Sequence, residues 1–262
     1  MTAEFPVYSI AKSFLAEAIL SSGIDLEASI GDYVPGLASS YANRNVKALL
    51  NHTSGLSDYS ELPDYALAVA KREPAWSRES LLSQTEKLPN NRDAFHYSNV
   101  GYLLLRMALE ATQNSSFFAA IHSLVLKPLN ITEFHEWEES SELVPSYDPR
   151  WVYSGTFVAT QPALVEGYSR LIAHRAKTTG LEAGLTPVPY PNTGFQRPSY
   201  GFGLMCETVN GQPSFVGHGG GGPGYAHMIL TNTKTLESAL ETSTGDLDQC
   251  VAIETLIHRL SA

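Results

Sequence analysis

Three short patterns in the chain carry residue types able to do acyl chemistry. The first is Ser9-Ile10-Ala11-Lys12, an S-x-x-K tetrad. On a helix, positions i and i+3 share a face, so the lysine amine can approach the serine hydroxyl. A serine attacks a carbonyl only when something accepts its proton. A lysine can do that once burial lowers its pKa. The second pattern is Tyr97-Ser98-Asn99. Its tyrosine can accept or relay a proton, and its asparagine amide can orient a lysine and donate to a substrate carbonyl. The third runs from Gly217-His218-Gly219 to Gly224-Tyr225. Glycines on a strand let a ligand lie close to the backbone and leave N–H groups to face a developing oxyanion. His218 offers a contact for a substrate carboxylate. The run is no phosphate loop, because it lacks Lys-Ser/Thr and no helix follows it directly.

Each pattern alone has a plainer reading. The tetrad can be a helix cap followed by a lysine that reaches solvent. Tyr97 can be a core aromatic, with Asn99 an ordinary helix N-cap. His218 can be a satisfied polar residue at a strand end.

The elements that must position these residues follow from the hydrophobic pattern. Ile10, Ala11, Phe14, Leu15, Ala18 and Ile19 follow helical spacing, and Ala16 and Leu20 between them are apolar too. A helix apolar nearly all round is a buried central helix, here interrupted by Glu17 and ended by Gly23. Ser9 lies at its first turn, where N–H groups are free and the dipole is positive. Further helices are expected at Asn45–Leu50, Ser77–Lys87, Val100–Thr112, Phe117–Leu126 and Pro162–Lys177. Pro89 to Asp93 reads as turns and Thr186–Pro198 as a long loop. Strands are expected at Gly201–Thr208, Ser214–His218, Tyr225–Leu230 and Ser238–Thr242, an antiparallel meander with turns at Asn210-Gly211, Gly219 to Gly224 and Asn232 to Thr235. Leu247, Cys250, Ile253, Ile257 and Leu260 mark a closing amphipathic helix. The outline is α+β. A helical lobe over about 25–194 is inserted between a nucleophile helix at 8–23 and a sheet region at 195–262, all in one unit of 1–262.

The composition fits a globular chain. Its 262 residues can bury a sizeable core. A formal net charge of -10 disfavours nucleic acid and anionic membrane surfaces. Cys206 and Cys250 are too few for a metal cluster or a disulfide scaffold. No stretch approaches the roughly 18 apolar residues of a membrane span. No signal peptide is visible: Glu4 stands where a basic residue is expected. The chain as written reads as cytoplasmic, and as periplasmic or secreted if its start is truncated.

Taken together, S-x-x-K, Y-x-N and H-x-G in that order resemble the serine β-lactamase and penicillin-binding-protein family. The resemblance is strongest to class C β-lactamases, DD-peptidases, D-aminopeptidases and family VIII esterases. Leu49-Leu50-Asn51-His52-Thr53-Ser54-Gly55-Leu56 is similar to the family's LLxHTSGL segment, and Tyr200-Gly201-Phe202-Gly203-Leu204 to its YGxGW/L strand. The resemblance covers almost the whole chain. It implies a β-lactamase/transpeptidase-like fold and a serine hydrolase acting on an amide, ester or lactam carbonyl. Ser9 is then the nucleophile, and Lys12 and Tyr97 share its proton, with the base left open between them. The oxyanion lies between the N–H groups of Ser9 and Gly221. Asn99, His218, Gly220 and Gly221 contact the substrate. No metal or organic cofactor is required. By resemblance His52 belongs to a structural turn and not to the catalytic set. The loops around Asp58–Tyr65, Trp137–Trp151 and Pro187–Pro198 are expected to shape the pocket.

Two departures qualify this. Histidine replaces the Lys-Thr-Gly of many β-lactamases, as in the peptidase and esterase branches. The family also places a helix and two strands before the S-x-x-K helix, and here eight residues precede Ser9. Without those strands, Ser238–Thr242 is an exposed edge at which a homo-oligomer can form. Two alternatives stay open: a transacylase using the same site, and a catalytically impaired relative that binds a peptide or partner.

Overall fold

The computed structural model describes residues 3–89, 95–139, 141, 143–190 and 193–262. Most of Pro89 to Asp93, read above as turns, lies outside these residues. Six strands form one antiparallel sheet in simple chain order: β4 (Thr186–Pro187), β5 (Pro198–Tyr200), β6 (Met205–Val209), β7 (Gln212–Gly222), β8 (Tyr225–Asn232) and β9 (Ser238–Ser243). Ahead of them in the chain, β1 (Glu4–Pro6), β2 (Phe134–His135) and β3 (Val158–Thr160) make a small second sheet with β3 in the middle. Their brevity hid them from the periodicity argument, since two or three residues cannot display alternation.

The helices are α1 (Ala11–Ser21), α2 (Ser39–Ala42), α3 (Val46–Leu50), α4 (Pro63–Ala70), α5 (Arg78–Thr85), α6 (Asn99–Gln113), α7 (Phe117–Ile121), α8 (Gln161–Lys177) and α9 (Gln249–Ser261). Most start at a side-chain cap. Asn45, Ser77, Ser98, Ser116, Thr160 and Asp248 each accept an N–H from the first turn they open. Helix α4, not expected from the pattern, starts at Pro63 in the first turn, a place that suits proline's fixed φ.

Helix α1 is the centre of the molecule. Every residue from Ala11 to Ile19 is buried, including Lys12, Ser13 and Glu17. Polar groups in such a setting need partners, and these have them. The Glu17 carboxylate accepts from Arg175 Nε at 2.5 Å, and Arg175 also donates to the Phe202 carbonyl at 2.9 Å. Ser13 Oγ donates to the Gly203 carbonyl at 2.7 Å and lies 2.9 Å from the Tyr168 hydroxyl. These contacts tie α1 to α8 and to the turn between β5 and β6.

That turn corrects one expectation. Gly201–Leu204 is not strand; β6 begins at Met205. Gly203 sits at φ +71°, and a Cβ there would come within 2.7 Å of both Lys12 O and Ala16 Cβ, so the turn exists to let α1 approach. A second correction concerns the glycine run. It was expected to be a turn, but β7 continues through Gly222, and the hairpin is closed by Pro223-Gly224 alone. The physical reason is close packing on the segment leading into α1. A Cβ on Gly220 would lie 2.4 Å from the Val7 carbonyl oxygen, and one on Gly222 would lie 2.4 Å from the Tyr8 ring. Only bare backbone fits there.

Strand β9 ends the sheet among the described residues. A groove lined by Val165, Leu236, Leu240 and Leu260 runs beside it. No helix of the described residues is long and apolar enough to cross a membrane.

The packing at β7 separates two neighbouring glycines. Nothing lies within 4 Å of where a Gly221 Cβ would stand. Gly220→Ala is expected to destabilise by about 1–3 kcal/mol through overpacking, while Gly221→Ala leaves the urea midpoint within error. Denaturation curves of the two variants check this.

Candidate active site

Ser9 occupies a 3-10 turn, Tyr8–Ile10, that leads directly into α1. Tyr8 takes the left-handed conformation at φ +48°, a strained state for a bulky side chain. It is held there by its hydroxyl, which donates to the Pro223 carbonyl at 2.6 Å. The Val7 N–H donates to the Phe157 carbonyl at 3.0 Å. The turn that carries the serine is thus fixed from Phe157, just ahead of β3, and from the β7–β8 hairpin.

Lys12 lies one turn on, and its amine is 2.8 Å from Ser9 Oγ, 2.7 Å from Asn99 Oδ1 and 3.2 Å from Ser154 Oγ. Lys12 is fully buried. Burial disfavours the ammonium and brings its pKa down to about 7, with the Asp58 charge acting in the opposite direction. The Tyr97 and Tyr102 rings flank the amine, their centroids 5.3 and 5.5 Å away. The Tyr97 phenol is pushed well above its ordinary value, chiefly by burial, and interaction with the Ser9 side chain partly offsets that. Ser9, Lys12 and Tyr97 are therefore brought to one point from two distant stretches of chain.

Asn99 is not among the residues that line the cavity at Ser9, and its side-chain amide is engaged by Asp58 and Lys12. Its Nδ2 donates to Asp58 Oδ2 at 2.7 Å, which turns Oδ1 toward Lys12. The same carboxylate oxygen accepts the Asn99 backbone N–H at 3.2 Å. Asp58 is 5% exposed, and burial raises its pKa against the hydrogen bonds from Ser60 and Asn99. Neither Asp58 nor Ser154 was singled out from the sequence. Asp58 had a visible signal, since Asp-x-x-Glu is a capping box, and Asp58 and Glu61 do form one.

A cavity of about 380 Å³ opens at Ser9. Tyr97, His218, Gly219 and Gly221 form one wall; Phe95, Tyr190, Phe195 and Met205 make the rest largely apolar. Gln249, from the first turn of α9, also borders it. Of the three loops expected to shape it, Pro187–Pro198 does so. Asp58 acts behind Asn99, and Trp137 and Arg150 border a separate hollow of about 600 Å³ near Arg106.

The β7 backbone reaches the cavity because its partner stops short. Strand β6 pairs only as far as Met205 with Gly217. Beyond that point the Gly219 N–H is directed at Met205 Sδ, 3.4 Å away. Backbone N–H groups two residues apart on a strand point the same way, so the Gly221 N–H faces the opening on that side as well. Gly220 points the other way and packs under Val7. The expectation that Gly220 contacts substrate is corrected by this alternation. His218 borders the cavity but is 1% exposed. Its Nε2 is 2.9 Å from the Tyr200 hydroxyl and its Nδ1 is 2.5 Å from the Gly219 carbonyl. Burial, aided by the Lys12 charge, lowers its pKa to about 3, so the ring is neutral.

Among the described residues no group of three or more His, Cys, Asp or Glu side chains is placed to hold a metal ion.

The relatives of this chain agree with that architecture. The chain is 26% identical over 266 residues to penicillin-binding protein 4* of Bacillus subtilis (strain 168), matching 86% of its own length and 57% of that protein's. It thus spans little more than half of that relative. Its fold is similar to the D-stereospecific amidohydrolase of Streptomyces sp., with TM-score 0.74, 24% identity, and coverage of 92% of this chain and 82% of that one. It is similar also to the D-amino acid amidase of Ochrobactrum anthropi SV3, with TM-score 0.75, 17% identity, and coverage of 99% and 85%. The Beta-lactamase family model matches residues 3–244, nearly the entire chain, and the protein is a member of that family.

Proposed function

We propose that the protein is a serine hydrolase that forms an acyl-enzyme through Ser9 on an amide, ester or lactam carbonyl. The observation that carries this is the buried Lys12 amine 2.8 Å from Ser9 Oγ. The names of the relatives, a penicillin-binding protein and two amide hydrolases, support the same reaction type.

The two partners of Ser9 divide the proton handling by their environments. Near neutrality a substantial fraction of Lys12 is neutral amine and can accept the Ser9 proton. The Tyr97 phenol, held protonated by burial, is the poorer base and serves as a relay to the leaving group. The Asn99 carbonyl and the Ser154 hydroxyl hold the amine on the serine. Carbonyl attack places negative charge between the Ser9 N–H at the head of α1 and the Gly221 N–H, where preorganised donors are most effective. Water entering from the cavity then releases the acyl group. The neutral His218 supplies no cation for a substrate carboxylate, and the apolar wall suits an uncharged acyl or leaving group.

Intact-mass analysis after treatment with a fluorophosphonate or a penicillin tests the central claim. One adduct on Ser9 is expected, lost in Ser9→Ala with the circular dichroism spectrum unchanged. A Ser9→Ala protein that still turns over substrate overturns the assignment. A panel of D-amino-acid amides, small esters and penicillins then ranks the substrates.

The pH dependence follows from Lys12. Its amine loses the proton as pH rises, so kcat/KM is expected to climb through about pH 7 and level off above it. Asp58 favours the ammonium. Asp58→Asn therefore lowers the Lys12 pKa and moves the acid limb to lower pH, which a kcat/KM profile from pH 5 to 9 reads directly. Tyr97→Phe is expected to slow turnover by about 10²–10⁴-fold, the range of a lost proton-transfer partner, measured as kcat on the best ester.

A further inference from the structure

His52 packs into the site, yet the proposed chemistry gives it no task. Its carbonyl oxygen accepts the His96 N–H at 2.9 Å. Its Nδ1 accepts the Ser98 N–H at 3.1 Å. His96 and Ser98 are the chain neighbours of Tyr97 on either side. The imidazole also lies against the Tyr97 ring, with centroids 4.3 Å apart. We propose that His52 is a positioning residue for Tyr97, gripping the chain on both sides of it and packing against its ring. The proposal rests on the reading that Tyr97 handles the proton of Ser9.

Two observations favour this over simple space filling. His52 Nε2 is buried without a hydrogen-bond partner among the described residues. An unsatisfied buried N–H costs about 1–3 kcal/mol, which an apolar side chain of similar size would avoid. What the imidazole adds over an apolar ring is the Nδ1 acceptor. Since Nδ1 accepts, the proton resides on Nε2. Burial, with the Lys12 charge acting in the same direction, holds the ring neutral, so the acceptor lone pair persists. The second observation is the backbone of His52 itself, at φ +60°. From this left-handed turn one residue's carbonyl and side chain reach the N–H groups of His96 and Ser98.

The test is a double-mutant cycle with Tyr97→Phe. Glycine adopts positive φ freely but offers no acceptor, whereas asparagine tolerates that backbone and carries an oxygen close to the Nδ1 position. His52→Gly is expected to lower kcat about 10-fold or more with KM changed less than about threefold, and His52→Asn to recover most of the loss. In the Tyr97→Phe background His52→Gly is expected to cost less than about twofold, because the phenol it holds is gone. Equal losses in both backgrounds, or an asparagine variant no better than the glycine one, overturn the proposal. Should the glycine variant fail to fold, His52→Asn carries the same comparison: its smaller loss must vanish in the Tyr97→Phe background. Full activity of Tyr97→Phe alone would overturn the reading of Tyr97 as well, whereas a slow Tyr97→Phe with additive His52 effects overturns this inference only.

Discussion

The site depends on an amine kept in a dry interior. A lysine in water holds its proton until far above neutrality, and removal of water is what changes that here. Lys12 is stripped of water by an almost wholly apolar α1 and by the Tyr97 and Tyr102 rings. Such burial opposes folding whenever the amine is charged, and three oxygen partners are needed to make it tolerable. Asp58, two steps from the amine through Asn99, supplies the nearest negative charge without touching it. A carboxylate in direct contact would have stabilised the ammonium. The polar residues around Lys12 thus strike a balance: enough hydrogen bonding to permit burial, too little charge to lock the proton on.

The serine is presented by strain and close approach. Tyr8 in a left-handed conformation turns the chain sharply before Ser9, and its own hydroxyl anchors it to the far end of the β7–β8 hairpin. Strand β7 lies against this turn because Gly220 and Gly222 carry no side chains to keep it away. One strand therefore does two things. Its even-numbered glycines make room for the turn that carries Ser9, and Gly219 and Gly221 aim their N–H groups toward the cavity.

Much of this was legible in the sequence. The apolar run of α1 with one lysine in it, the order of the three motifs and the turn signals of the last third sufficed for the α+β outline and for the meeting of Ser9, Lys12 and Tyr97. What escaped had physical reasons. Strands β1, β2 and β3 are too short for alternation to register. The glycine run looks like a turn because glycine has no strand propensity; its extended form is imposed by packing on residues more than 200 positions away. Ser154 sits in a loop with no pattern of its own. The roles of Asn99 and Gly220 depend on which way an amide and a peptide point, and composition and spacing do not encode that. Gln249 came to the cavity rim through the docking of α9, a tertiary fact without local signature.

The position of α1 within the chain has a consequence for how the protein is made. It packs against α6, α7 and α8, and the Tyr8–Ile10 turn that leads into it packs against the glycine strand about two hundred residues downstream. During synthesis this apolar helix and the turn ahead of it emerge long before the strand that covers that turn. Contacts so distant in sequence form slowly, and an unshielded apolar segment invites association with other chains meanwhile. The buried helix that carries Lys12 is thus also a liability in chains whose later part is not yet made.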